Sequence, residues 1–414
     1  MGLQMQAMAL GWEVYERTHS AFQLGLIGLF RALPVIALAL PAGHIVDTLN
    51  RKTVLILTQV AFAAVSVGIA AACYFQAPLY ALYILIVLSG CVRVFNGPSR
   101  SSLLPQIVPS DLDNGATFHN AVTWNTGIFH LSAAVGPLLA GQLIAYMYAR
   151  PGVTYQGPGA AWPVYLATAA GCMIFAANAL FMRPRPNIRA PKGFSIKSML
   201  AGMDHVWNEK TVLAAISLDL FAVLLGGATA LLPIYAKDIL HVGPQGLGIL
   251  KAATPVGATL MGLYLAHRPP FQRAGRALLW SVASFGLFMI VFGLSNWIVL
   301  SVLALFIAGA ADNVSVVIRH VLVQMRTPEH LRGRVSAVNS VFIESSNELG
   351  GFESGAAAAG FSRLFGSNVL GAVGSVVSGG IGTMLVVAGV AWWIPEIRRL
   401  GRLREIEEAP VSAK

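Results

Sequence analysis

The sequence predicts an all-α membrane protein with many spans, and three observations carry that prediction. Of its 414 residues, 56% are hydrophobic and only 11% are charged, against about 25% charged in soluble chains. The apolar residues gather in runs of about 20, the length a helix needs to cross a hydrocarbon core. Lys and Arg fall in short clusters between those runs. An ionised side chain at mid-bilayer costs several kcal/mol, so a lipid solvent explains the missing charge.

The same pattern excludes other classes. The net charge of +10 does not imply a nucleic-acid partner, because no polar domain interleaves basic and aromatic residues. Cys73, Cys91 and Cys172 each lie inside an apolar run without metal-ligand spacing, as inert buried thiols do. No Walker-type Gly-rich loop, zinc pattern or nucleophile motif occurs, so neither an enzyme nor a cofactor is expected.

Taken in order, the chain opens with an incomplete run. Met1 to Trp12 supplies twelve residues before Glu13, about 18 Å of helix against a core near 30 Å. A truncated first span is therefore expected, with translation beginning upstream. The segment has neither a basic leader nor a small-residue cleavage site, so it does not read as a signal peptide. Eleven fuller runs follow: Phe22–Gly43, Val54–Phe75, Leu79–Gly97, Ala116–Tyr148, Trp162–Met182, Val212–Tyr235, Gly246–Ala266, Ala277–Leu294, Ile298–Met325, Val335–Gly360 and Val369–Ile394. Arg183 to Lys210, opening Arg-Pro-Arg-Pro, is the longest polar stretch between them. Its part from Ser195 to Trp207 has apolar residues at helical spacing and suits a short helix at the membrane surface. The expected layout is a six-helix half over 1–182, a basic linker over 183–210, a second half over 211–396 and a tail over 397–414.

Orientation follows from basic residues in the loops. If Arg51 and Lys52 are cytoplasmic, that side also holds the linker cations, Arg268, Arg273, Arg276, Arg326, Arg332, Arg334 and the Arg398–Arg404 cluster. The other side holds Arg17, Arg150, Lys237 and Arg363. Both termini are expected on the cytoplasmic side of a bacterial inner membrane.

Three motifs narrow the reading. The loop after the second span runs Gly43-His-Ile-Val-Asp47-Thr-Leu-Asn-Arg51-Lys52. It resembles the loop 2–3 signature of the major facilitator superfamily, with Thr48 and Asn50 departing from its usual Arg and Gly. The resemblance implies a cytoplasmic gate built from Gly43, Asp47, Arg51 and Lys52; the motif also fits a plain anchor beside a helix cap. Arg93-Val-Phe-Asn96-Gly97 resembles the superfamily's Arg-x-x-Gln-Gly pattern, which implies a place for Arg93 in proton coupling, against a simple snorkelling arginine. Gly136-Pro137-Leu-Leu-Ala-Gly141 is similar to the exporter signature of the fifth span, where Gly136, Pro137 and Gly141 would form a hinge. Phe95–Pro109 and Arg326–Arg334 resemble the subgroup containing the enterobactin exporter and related secretion-type members. The resemblance implies the twelve-helix major facilitator fold and efflux of a small amphipathic molecule, with lipid flipping or import on the same fold as the alternatives. Partners implied are the bilayer, the substrate and protons, for a monomer without nucleic acid; a membrane sensor or intramembrane enzyme fits less well.

Charges inside the spans are the remaining candidates. Asp219 lies in the seventh predicted span, Asp312 and Arg319 in the tenth. Asp312, Ser315 and Arg319 fall on one helix face, as do Glu344, Asn347 and Glu348. Two carboxylates one turn apart in a low dielectric resist being charged together, which is what a proton carrier needs. A buried structural ion pair explains Asp312 and Arg319 equally well. Asp219, nearer its span's cytoplasmic end, fits capping or structural pairing.

Overall fold

All but one of the apolar runs become continuous helices, and capping chemistry sets several of the ends. The computed structural model describes residues 1–108, 116–149, 159–183, 203–204, 206–226, 228–269, 271–399 and 401. Twelve long helices follow one another: α1 (Gly2–Thr18), α2 (Ala21–Thr48), α3 (Arg51–Tyr74), α4 (Leu79–Ile107), α5 (Ala116–Ala149), α6 (Trp162–Phe181), α7 (Lys210–Leu225), α8 (Gly243–Ala266), α9 (Ala274–Leu294), α10 (Ile298–Arg326), α11 (Glu329–Phe365) and α12 (Asn368–Trp393). A short α13 (Pro395–Arg399) closes the series, and the described residues contain no strand. Ser20, Asn50 and Ser367 cap α2, α3 and α12 by accepting backbone N–H bonds from Gln23, Lys52 and Leu370, which satisfies donors that a helix start leaves open. Gly366, at φ 67°, closes α11 in the left-handed conformation that glycine adopts without strain.

Among the described residues ten helical segments are long and apolar enough to cross a membrane, one of them Lys210–Ile239, which joins α7 to the turns that follow it. α1, at 17 residues, is not among them. α11 has 37 residues, but its glutamates keep the predicted run Val335–Gly360 from being an apolar one.

Two boundaries differ from the sequence reading. The fourth run was expected to stop at Gly97, because proline usually ends a helix. Instead α4 passes through Pro98 and Pro105 to Ile107, as lipid offers a freed backbone no better partner than the helix. The seventh run, expected unbroken to Tyr235, is interrupted. α7 ends at Leu225 with Gly226 as its cap, followed by a 3-10 turn at Ala228–Ala230, an α-turn at Leu232–Ile234 and a π-turn at Tyr235–Ile239. Pro233 starts that second turn, and a Cβ on Gly226 would stand 2.7 Å from the Phe285 ring.

Cα packing groups the chain into two units. Unit 1 comprises Met1–Phe194 with His241–Ala252, and unit 2 comprises Ser195–Leu240 with Ala253–Lys414. In unit 1, α3 packs on α4 and α6, α2 on α4, and α1 on α5 and α6. In unit 2, α9 packs on α10 and α12, and α11 on α12 and α7. Association in lipid depends on close van der Waals fit rather than on burial from water, so small residues mark the contacts. A Cβ on Gly90 would lie 2.9 Å from Pro34 of α2, and one on Gly286 would lie 3.0 Å from the Gly380 carbonyl of α12. Most of the predicted surface helix lies outside the described residues; Val206 is buried against Val212, Ile216, Val323 and Val335.

Candidate functional site

Unit 2 holds a buried pair of opposite charges on two facing helices. α7 places Asp219, and α10 places Asp312, Ser315 and Arg319 along one face. Arg319 is only 2% exposed, and its Nη1 is paired with Oδ1 of Asp219, itself 8% exposed. The Nε of Arg319 has no hydrogen-bond partner among the described residues. The sequence offered Asp312 as Arg319's partner, but seven residues of helix separate their Cα atoms by about 10.5 Å along the axis. A facing helix supplies the closer carboxylate.

Asp312, half-buried, lines a small, partly open pocket with Asp219, Ser315, Ala222, Val223, Val282 and Phe285. It lies within electrostatic reach of both Asp219 and Arg319. One guanidinium cannot neutralise two carboxylates. With His320 next along α10, the set is a group of two carboxylates, one guanidinium and one imidazole on facing helices.

The other predicted residues are placed as follows. Glu344 and Asn347 are exposed and Glu348 is half-buried on α11. They share a face, but none lines the Asp219–Asp312 cavity. Asn347 donates to the Ile343 carbonyl of its own helix at 2.8 Å. Arg93 is exposed half-way along α4, while Asn96 turns away to donate to Thr58 of α3 at 3.1 Å.

The gate residues divide. Gly43 and Asp47 belong to the last turns of α2, and their side chains lie outside the described residues. Arg51 donates to the Ser102 carbonyl of α4 at 3.1 Å. Lys52 donates to the carbonyls of Leu180 and Met182, at 2.7 and 2.8 Å. A cation on the open carbonyls of a helix C-terminus is favourable by both hydrogen bonding and dipole, so this pair ties the start of α3 to α4 and α6. Of the residues expected to form a hinge, Pro137 sits within α5. Gly136 allows α1 in close, since a Cβ there would stand 2.8 Å from Gln4 Cβ. Gly141 lies against the Pro244 carbonyl and Gln245.

One charged cluster was not singled out from the sequence. Glu13, 1% exposed, pairs with Arg17 at 2.7 Å and accepts from the Gly159 backbone N–H at 3.0 Å. Arg17 also donates to the Ala77 carbonyl at 2.7 Å. Their i, i+4 spacing was a readable sign of a pair; the partners at Ala77 and Gly159 were not. Among the described residues no group of three or more His, Cys, Asp or Glu could hold a metal ion.

Comparison with known proteins places this geometry. A model described as the Major Facilitator Superfamily matches residues 1–351. The chain is 24% identical over 339 residues to proteins named enterobactin exporter EntS from Citrobacter koseri and from Escherichia coli O1:K1. Those alignments cover 82% of this chain and 77% of each relative. The fold resembles a nucleoside transporter NupG mutant, with TM-score 0.68, 12% identity and coverage of 95% of this chain and 99% of that one. It also resembles a bacterial homologue of the lysosomal transporter Spinster, with TM-score 0.67, 15% identity and 96% coverage of both chains. At such identities these structures speak for the fold alone.

Proposed function

We propose that this chain, which belongs to the Major Facilitator Superfamily, exports a small amphipathic molecule from the cytoplasm in exchange for protons. Its setting is a bacterial inner membrane, its termini are cytoplasmic and it works as a monomer. The two six-helix halves, 1–182 and 211–396, alternate access around the substrate, joined by the basic linker and followed by the tail. Export rather than import is favoured by the names of its relatives, which are exporters.

The observation that carries proton exchange is the pairing of Arg319 with Asp219, beside a second carboxylate on the same cavity. In this reading Asp312 takes up the proton, and Arg319 redistributes between Asp219 and Asp312 as the proton comes and goes. Glu344, Asn347 and Glu348 on α11 and Arg93 on α4 form a second group for coupling or substrate contact. Gly43, Asp47, Arg51 and Lys52 gate the cytoplasmic side, and Gly136, Pro137 and Gly141 let α5 bend.

The test uses purified protein in vesicles, with proton flux and substrate exchange read separately. Asp312→Asn should abolish transport driven by a pH gradient and leave downhill exchange intact, since Asn keeps the shape but cannot carry a proton. If Asp312→Asn still pumps uphill, the coupling role moves to Glu344 and Glu348, each tested as Gln. Lipid translocation without any pH-driven solute flux would favour a flippase instead.

A further inference from the structure

One end of unit 2 gathers arginines from two segments far apart in sequence. Arg273 is the N-cap residue of α9 and Arg276 stands in its first turn, which contains no acidic residue. Arg398 lies on α13, beyond α12. Packing joins the two segments. Ile397 of α13 is fully buried with Ala274 and Leu278 of α9, and Phe271 packs against them. The Ala274 N–H donates to the Gly401 carbonyl at 3.3 Å. Arg398 adjoins Ile397 and Arg273 adjoins Ala274, so docking of α13 brings the arginines to one corner. All three are exposed, and none makes a hydrogen bond or an ion pair among the described residues. Glu396 is the carboxylate on α13, so three cations stand against one anion. Arg268, at the end of α8, lies instead over the Tyr264 ring, 4.9 Å from its centroid.

Tryptophans set the depth of this corner. Trp280, one turn beyond Arg276 on α9, is exposed, as are Trp392 and Trp393 at the end of α12. Exposed tryptophans near the ends of spanning helices sit at the level of lipid headgroups, where the ring meets apolar chains and the N–H meets polar groups. The arginines lie farther toward the helix ends, so their guanidiniums reach the phosphate layer while their stems cover apolar surface. A planar guanidinium fork matches two oxygens of a phosphodiester. A loop cation that only sets topology needs neither a docked partner segment nor tryptophans beside it.

We propose that the corner formed by the start of α9 and α13 binds the phosphate of an anionic phospholipid. Clustered cations at a helix end favour lipids of net negative charge over zwitterionic ones. The site stands apart from the transport reading and uses none of its coupling, gate or hinge residues.

Native mass spectrometry of the full chain in detergent tests the site, with dioleoyl phosphatidylglycerol and dioleoyl phosphatidylcholine titrated separately. The first phosphatidylglycerol should bind at least about tenfold more tightly than the first phosphatidylcholine. Arg273→Gln, Arg276→Gln and Arg398→Gln should each cut that affinity about fivefold, as loss of one cation near an anionic headgroup does, and leave phosphatidylcholine unchanged. Arg276→Lys should recover part of the loss, which keeps the test open if a glutamine variant unfolds. Ile397→Ser retains every arginine but undocks α13, and should weaken phosphatidylglycerol about as much as Arg398→Gln. Arg334→Gln removes the same charge from α11 and should shift the affinity by less than about twofold. Equal affinity for the two lipids, a preference that survives all three glutamine variants, or full affinity in Ile397→Ser overturns the proposal. So does an equal loss in Arg334→Gln, which would leave only the general attraction of a basic protein for anionic lipid. Displacement of the lipid by excess inorganic phosphate would give the corner to free phosphate and overturns it as well.

Discussion

At the scale of single residues, the energetics turn on Arg319 and Asp219. Each side chain is almost fully buried, and a buried ion left without its counter-ion is far worse than no ion at all. The expected behaviour is therefore asymmetric. Arg319→Met alone should destabilise the purified protein by about 3–5 kcal/mol, because it strands Asp219. Arg319→Met combined with Asp219→Leu should recover most of that, measured as the unfolding midpoint in detergent. Proton-driven transport should stay absent in both, since the double variant restores packing and not charge. Equal stability of the single and double variants would make the pair incidental. The sequence showed that Asp312, Ser315 and Arg319 share a face, because helical period alone decides that. It could not show that Arg319 looks across to α7, because a partner on a facing helix depends on how the helices are rotated against each other.

Helices are held at their ends by polar ties and along their length by contact between small residues. The tie of Lys52 to the last carbonyls of α6 is an instance of the first. The seat of Gly309 on the backbone at Thr254 of α8 is an instance of the second. Gly360 is a natural control, since a Cβ there would meet nothing within 4 Å. Gly309→Leu should push α8 and α10 apart and lower the melting temperature by several degrees, as overpacking costs about 1–3 kcal/mol or more. Gly360→Leu should leave it nearly unchanged. Equal effects would mean that helix propensity rather than packing governs both sites. Span positions were legible because length and apolarity are written in the chain. The continuation of α4 through Pro98 and the break after Leu225 were not, because each depends on what surrounds the backbone. In lipid a proline is tolerated where its freed backbone groups stay within protein, and Gly226, the cap of α7, leaves room for the Phe285 ring.

For the whole molecule, the distribution of loop cations predicts a direction through the membrane. Insertion leaves Lys and Arg of short loops in the cytoplasm, and the basic sets around Arg51, Arg273 and Arg332 alternate with loops that carry few cations. The loop between α8 and α9 should accordingly be cytoplasmic, and the loop between α9 and α10 should face the other side. Both contain an exposed polar residue suited to a probe, Gln272 and Asn296. The native thiols interfere little, as Cys73 and Cys172 are buried and Cys91 is half-buried. In intact spheroplasts, a membrane-impermeant maleimide should label Asn296→Cys and leave Gln272→Cys untouched until the membrane is opened. These two sites are separated by one span, α9, so the pair also tests whether that helix crosses at all. Labelling of both from outside would mean that α9 does not span. Labelling of Gln272→Cys alone would invert the molecule, exchange the sides assigned to the Lys52 ties and to Arg17, and turn the proposed exporter's cytoplasmic gate outward.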